Sequence, residues 1–305
     1  MTKQSDGFQR SKSKRNITLF LFTLPALIVY TVFFVLPILG DIYISLLEWN
    51  GGLIDVKFVG LKNYIKMFTE DKAFYAALLH NVMYTAFVVT IQLSMALLFA
   101  LILFRNIRGH NFFKTVYLLP VVLSSVTLAL IWSYMYDPLQ GFVNYFLKSI
   151  GLGSFQQNWL GDKKIALFSV GLINAWQYIG YSMIIFIAGL LTIPESLYEA
   201  AEIDGAGMFS KFANVTFPLL APATTMNIVL STTGSFKVFE LIYVITPPGG
   251  PISDATEVLA TLMYKVGFTY GEMGYSAAIS IILLIVIMII GFVQLKLLRS
   301  REVKY

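Results

Sequence analysis

The residues with chemistry to offer fall into two groups. The first is a polar stretch, Pro194-Glu195-Ser196-Leu197-Tyr198-Glu199-Ala200-Ala201-Glu202-Ile203-Asp204-Gly205-Ala206-Gly207, whose four carboxylates surround an Ala-Ala step. Fixed acids can pair with a partner's Arg or Lys, and small side chains let another backbone come close, so this chemistry is docking. The second group lies scattered in apolar surroundings: Asn174, Gln177, Tyr178, Tyr181 and Ser182, then Asn227, Ser231, Thr232, Ser235, Lys237 and Glu240. Aromatic faces against C–H surfaces, with amides and carboxylates against hydroxyls, suit a polyol. Bond-making chemistry lacks its usual parts. There is no Cys, and the two His residues, His80 and His110, are single and read as surface positions. No nucleophile–base pair, metal constellation or Gly-x-x-x-x-Gly-Lys-Ser/Thr phosphate loop occurs, so the sequence predicts no enzyme and no metal site.

The composition says what must position these groups. Of 305 residues, 57% are hydrophobic and 13% charged, with mean hydropathy +0.73. Soluble domains run at about 45–50% apolar and about 25% charged. That excludes disorder and an ordinary water-soluble fold. A helix needs about 20 apolar residues to cross a bilayer core. Six stretches qualify, near Ile17–Leu39, Val82–Phe104, Thr115–Met135, Ile165–Leu191, Leu219–Ile245 and Tyr275–Leu295, and the charges inside them are Lys237 and Glu240. These runs are apolar on both parities, so helices and not barrel strands span. The first run is longer than a signal-peptide core and reads as a retained helix. With both termini inside, the inner segments carry thirteen Lys and Arg against eight outside, which favours that orientation.

The connections differ in character. The outer segment Asp41–Asn81 places Phe58, Leu61, Tyr64, Ile65 and Phe68 at helical spacing, on a helix that either lies on the outer leaflet or caps the bundle. Asp137–Lys164 reads as an outer loop, and Thr246–Gly274 opens with the turn Pro247-Pro248-Gly249-Gly250-Pro251. The inner stretch Ile193–Phe217 is no mere connector. Pro194 and Glu195 suit a helix's first turn, Ala200 and Ala201 favour its interior, and Gly205 with Gly207 stop it. Phe209, Phe212 and Val215 then repeat on a second short helix, and Pro218 and Pro222 mark entry to the fifth span.

Within the spans the polar residues allow two readings. Lys237 and Glu240 are three apart on one helical face, where they either compensate each other in packing or leave Glu240 with Ser231, Thr232 and Ser235 to line a solute path. Asn174, Tyr178, Tyr181 and Ser182 share one stripe of the fourth span and, like Asn227, serve either the path or helix–helix contacts.

Glu199-Ala200-Ala201-x-x-Asp204-Gly205-Ala206, then Phe212, Pro218 and Pro222, resembles the EAA loop of binding-protein-dependent ABC importer permeases. Trp49-Asn50-Gly51, Phe58-Val59-Gly60-Leu61-x-Asn63-Tyr64 and Ser235-Phe236-Lys237-x-Phe239-Glu240 are similar to the oligosaccharide branch of that family. Phe209 stands where the family often has Trp. The resemblance implies an all-α membrane protein of six transmembrane helices with both termini cytoplasmic, the type I importer fold. It implies a basic tail at 1–16, a transmembrane domain at 17–295 with the EAA loop at 193–222, and a tail at 296–305. It implies a multi-pass protein of a bacterial or archaeal cytoplasmic membrane that moves a carbohydrate, with a glycerol phosphate or other polyol permease as the alternative. The implied partners are a second permease, a cytosolic ATPase dimer holding the ATP and Mg, and an extracytoplasmic solute-binding protein. No nucleic acid is expected; the basic tail suits anionic lipid. An ion-coupled transporter would need ionisable groups at mid-membrane and two related halves, which the sequence does not offer.

Overall fold

The computed structural model describes residues 18–52, 56–104 and 109–299. The tail at 1–16 and the last residues of the tail at 296–305 lie outside the described residues. The chain opens with α1 (Thr18–Ser45), which contains one wider π turn at Thr31–Val35. A two-residue ladder follows, β1 (Leu47–Glu48) antiparallel to β2 (Lys57–Phe58), with Leu47 opposite Phe58. Then come α2 (Lys62–Thr69), α3 (Lys72–Phe104), α4 (His110–Val122), α5 (Ser125–Met135), α6 (Phe142–Ser149) and α7 (Ala166–Leu191). The rest is α8 (Glu195–Ile203), α9 (Met208–Leu219), α10 (Ala221–Phe236), α11 (Glu240–Ile245), α12 (Ser253–Thr256), α13 (Leu259–Tyr264) and α14 (Met273–Arg299).

Helices α1, α3, α7 and α14 are long and apolar enough to cross a membrane, and the bent pairs α4–α5 and α9–α10 complete six spans. The sequence predicts the third and fifth spans as the single runs Thr115–Met135 and Leu219–Ile245, and the structure breaks both. The third bends by 99° and the fifth by 64°. Pro120 removes one ladder hydrogen bond inside α4, and Leu123 and Ser124 then turn extended. Pro222 has no N–H to give the Pro218 carbonyl, so the ladder fails there and restarts as α10. The fifth span also stops at Phe236, short of Ile245. Lys237 ends α10 and Glu240 starts α11, so the two charges share no helical face and form none of the ion pairs among the described residues.

Close backbone approach sets the packing. A Cβ on Gly180 of α7 would sit 1.9 Å from the Tyr117 carbonyl oxygen of α4, so this crossing admits only glycine. Gly274 meets Leu47 O in the same way and donates its N–H to Trp49 O at 3.1 Å, seating α14 under β1. By contrast α1 is exposed along most of its length, burying little besides Ser45.

The connection Thr246–Gly274 is more than a turn. Leu259, Ala260, Thr261 and Leu262 are buried, because α13 folds back into the bundle beside α3 and α14. Asn81 holds that return, accepting the Leu259 N–H at 2.8 Å and donating to Phe236 O at 3.3 Å. Asn81→Leu orphans both groups in a dry setting, and a loss of about 2 kcal/mol in stability is expected. Thermal unfolding of the purified variant measures it. Lys265 and Glu257 pair at 3.0 Å beneath the same connection. Burial pulls the Lys265 ammonium down, but the hydrogen bond and charge of Glu257 outweigh it and hold the group above the usual lysine value. His80 is partly buried, and its Nδ1 lies 2.9 Å from Glu257 O. On α2, Leu61, Ile65 and Phe68 face outward while Asn63 and Met67 are buried, so the predicted apolar face does not cap the bundle.

Candidate functional site

Two features stand at different levels of the bundle: an elbow between α7 and α10, and a cavity among α7, α10 and α11. In the elbow Glu195 occupies the first turn of α8, where a carboxylate meets the helix's positive end. Gly205 ends α8 at φ +75°, donating to Glu202 O at 3.0 Å while Ala206 donates to Ala201 O at 2.8 Å. This pair of bonds is a Schellman cap, which fixes the direction of the turn into α9. Glu202 is taken by Lys211 across the turn, leaving Glu195, Glu199 and Asp204 as the carboxylates without an ion pair among the described residues. Ile203 and Phe209 project outward, 87% and 82% exposed, so Phe209 does not pack within the elbow. Phe212 stays half-buried against Phe217. The inner side is anchored: the Tyr198 hydroxyl meets Thr216 Oγ1 at 3.1 Å, and Tyr198, Val215 and Leu219 pack on Leu190, Ile193 and Leu220. Below it Gly189 brings α7 against the first turn of α10, where an added Cβ would lie 2.7 Å from Ala223 Cβ. Motion of the elbow is therefore motion of α7 and α10.

The cavity measures about 330 Å³. Its wall takes Asn174, Tyr178 and Tyr181 from α7, Ser231 and Ser235 from α10, and Glu240 from α11. Lys237 and Val238, in the break between α10 and α11, are also on it. Non-helical backbone at membrane depth is tolerated where it lines such a space. Three predicted path residues, Ser182, Thr232 and Asn227, are not on the wall. Thr232 Oγ1 accepts from Gln294 Nε2 of α14 at 3.0 Å, and Ser182 Oγ accepts from Gln92. Asn227 is 1% exposed and donates to Ser182 O at 3.2 Å, which ties α10 to α7. Gln177 is likewise off the wall, donating to Leu123 O at 3.3 Å and so satisfying a carbonyl freed by the α4–α5 break.

Gln92 and Ser125 line the cavity, and sequence reasoning missed both. Gln92 Nε2 donates to Ser182 Oγ at 2.7 Å and Ser231 Oγ at 2.9 Å, joining α3, α7 and α10 at one point. A signal existed, since Gln92 is the lone amide in the run Val82–Phe104. Ser125 had none. The cavity is open on the side of Tyr181, Gly234, Lys237 and Glu240, all exposed. It offers hydroxyls, amides, the rings of Tyr178 and Tyr181 and two opposite charges. That inventory suits a polar solute.

Comparison with known proteins shows the family. The family model described as "Binding-protein-dependent transport system inner membrane component" matches residues 92–303. A probable ABC transporter permease protein, YurN of Bacillus subtilis, is 36% identical over 290 residues, covering 94% of this chain and 98% of its own. The trehalose/maltose transport system permease protein MalF of Thermococcus litoralis is 33% identical over 283 residues, covering 93% and 94%. A crystal structure of a bacterial alginate ABC transporter, in complex with its alginate pentasaccharide-bound periplasmic protein, contains a similar chain. The TM-score is 0.81 at 22% identity, over 95% of this chain and 96% of that one, which is a likeness of fold. With four continuous and two broken spans in this fold, the chain is a multi-pass membrane protein and belongs to the inner-membrane permease components of binding-protein-dependent ABC importers.

Proposed function

We propose that this permease moves a carbohydrate of more than one ring through the cavity between α7 and α10, driven by a separate cytosolic ATPase dimer docked on the elbow. ATP and Mg belong to that ATPase, a second permease faces the open side of the cavity, and an external solute-binding protein delivers the solute. The observation that carries the reading is the elbow's double character. It presents Ile203 and Phe209 outward, and it is fastened through Tyr198 and Thr216 to α7 and α10, which supply most of the cavity wall. Closure of the ATPase dimer would then tilt both helices as rigid bodies between two packed states. The sugar class is supported by the wall itself and by the relatives named for trehalose/maltose and alginate transport.

Reconstitution in liposomes tests the drive. Uptake of a labelled oligosaccharide is expected only with all companion subunits and ATP, and uptake by this chain alone would overturn the proposal. The wall is tested separately. Tyr178→Ala and Glu240→Ala each remove a solute contact worth about 1.4 kcal/mol, so a roughly tenfold loss of uptake is expected with assembly intact. Unchanged uptake in both variants removes the cavity from the path.

A further inference from the structure

The connection between α5 and α7 carries more apolar surface than a solvated link needs. Phe142, Tyr145 and Phe146 of α6 are 58%, 72% and 49% exposed, and Leu139 just before them is 92% exposed. Spacings of three and four place the α6 residues on one face. The opposite face is held firmly. Asn144 is buried, donates to Pro138 O and Gln157 O, and accepts the Trp159 indole N–H at 2.8 Å. Gly141 closes the turn before α6, where a Cβ would fall 2.3 Å from Asp137 O. The exposed apolar face is therefore a fixed feature and not a loose strand.

Its place is also fixed. Six residues lie between Met135, the end of α5, and Phe142, so α6 starts within about 25 Å of that span's end. It stands at the end of α7 away from the elbow. The helix before it, α5, one half of the broken third span, also exposes apolar residues, Leu130 and Tyr134 among them. Lys148, Lys163 and Lys164 nearby are exposed, and none of the ion pairs among the described residues uses them.

We propose that α6 lies in the bilayer interface as a lipid anchor. Phe142, Tyr145 and Phe146 sit at the boundary of headgroups and acyl chains, and the three lysines reach lipid phosphates. An amphipathic helix with an aromatic face and basic flanks binds this environment by apolar burial and charge together. Lipid is the occupant because α6 follows closely on the exposed, apolar α5 half of a broken span, and because the lysines match phosphate. The anchor fixes α5, which packs on α11 and so holds the wall carrying Glu240 and Leu241.

The chain has no cysteine, so a single nitroxide label reports cleanly in the full transporter with cysteine-free companion subunits. Tyr145→Cys and Phe142→Cys are labelled in vesicles of phosphatidylethanolamine and phosphatidylglycerol, with Leu130→Cys as the lipid reference and Asp254→Cys as the aqueous one. Collision with oxygen relative to a water-soluble nickel chelate is expected to match Leu130→Cys within about twofold, and to exceed Asp254→Cys by about tenfold. Ready collision with nickel at both positions means a solvated helix and overturns the proposal. Low collision with both reagents means a protein covers the face, whether the second permease or the solute-binding protein, and overturns it equally.

Discussion

Gly205→Asp abolishes ATP-driven uptake while leaving the chain inserted and folded. Gly205 sits at φ +75°, and a Cβ there meets nothing within 4 Å, so the bundle feels no clash. The cost is the left-handed backbone of an L-residue, about 1–2 kcal/mol, confined to an exposed turn. The tip itself changes more. A carboxylate appears beside Asp204 at the point where the Ala200-Ala201 face would meet a partner's backbone, and the Schellman cap that aims α9 is strained. Loss of about 3 kcal/mol of coupling corresponds to a fall of roughly 100-fold in uptake. Gly205→Ala has the same strain without the charge and should keep a measurable part of the activity. Co-purification of G205D with a fully stimulated ATPase would refute the elbow as the coupling element.

The second large effect is one of stability. Gly180→Ala places a methyl where the Tyr117 carbonyl oxygen and carbon stand, at 1.9 and 2.5 Å from the ideal Cβ position. Neither atom belongs to a side chain that could swing aside, so α4 and α7 must part. Overpacking of this kind costs about 3 kcal/mol, the upper end of its usual range. For a chain of this size that is a fall of about 6–12 °C in the thermal midpoint. The separation also weakens the Gln177 bond to Leu123 O, so the α4–α5 break loses its satisfied carbonyl. Gly291→Ala, where a Cβ meets nothing within 4 Å, is the control and should leave the midpoint unchanged. Equal midpoints for the two variants would mean that the crossing tolerates a side chain.

The six spans were legible because a bilayer enforces length and apolarity on each crossing, with no help from neighbours. The breaks were not. Pro120 inside an apolar run signals a kink, yet the chain leaves the helix only at Leu123 and Ser124, where tertiary contacts take over. Lys237 and Glu240 read as a pair only while helical spacing continues through residues 237–239, and these three non-helical residues destroy that inference. Helices α6 and α13 escaped because stretches of eight and six residues give too little periodicity to count. At the site, the elbow's Gly205 was readable from local rules of helix termination. The Glu202–Lys211 pair was not, since it forms only across the turn. Asn174 and Asn227 are the same residue type in equally apolar runs. Only the azimuth of each helix in the assembled bundle turns one toward the cavity and the other into the contact between α7 and α10.

The exposed lip formed by Tyr181, Gly234, Lys237 and Glu240 has an evolutionary corollary. A trough with one missing side retains nothing by itself, so the surface that completes it writes the other half of the discrimination. In the proposed assembly with a second permease, substrate range becomes a joint trait of two genes. An exchange of the companion alone should shift what is carried, even with every residue of this chain left as it is.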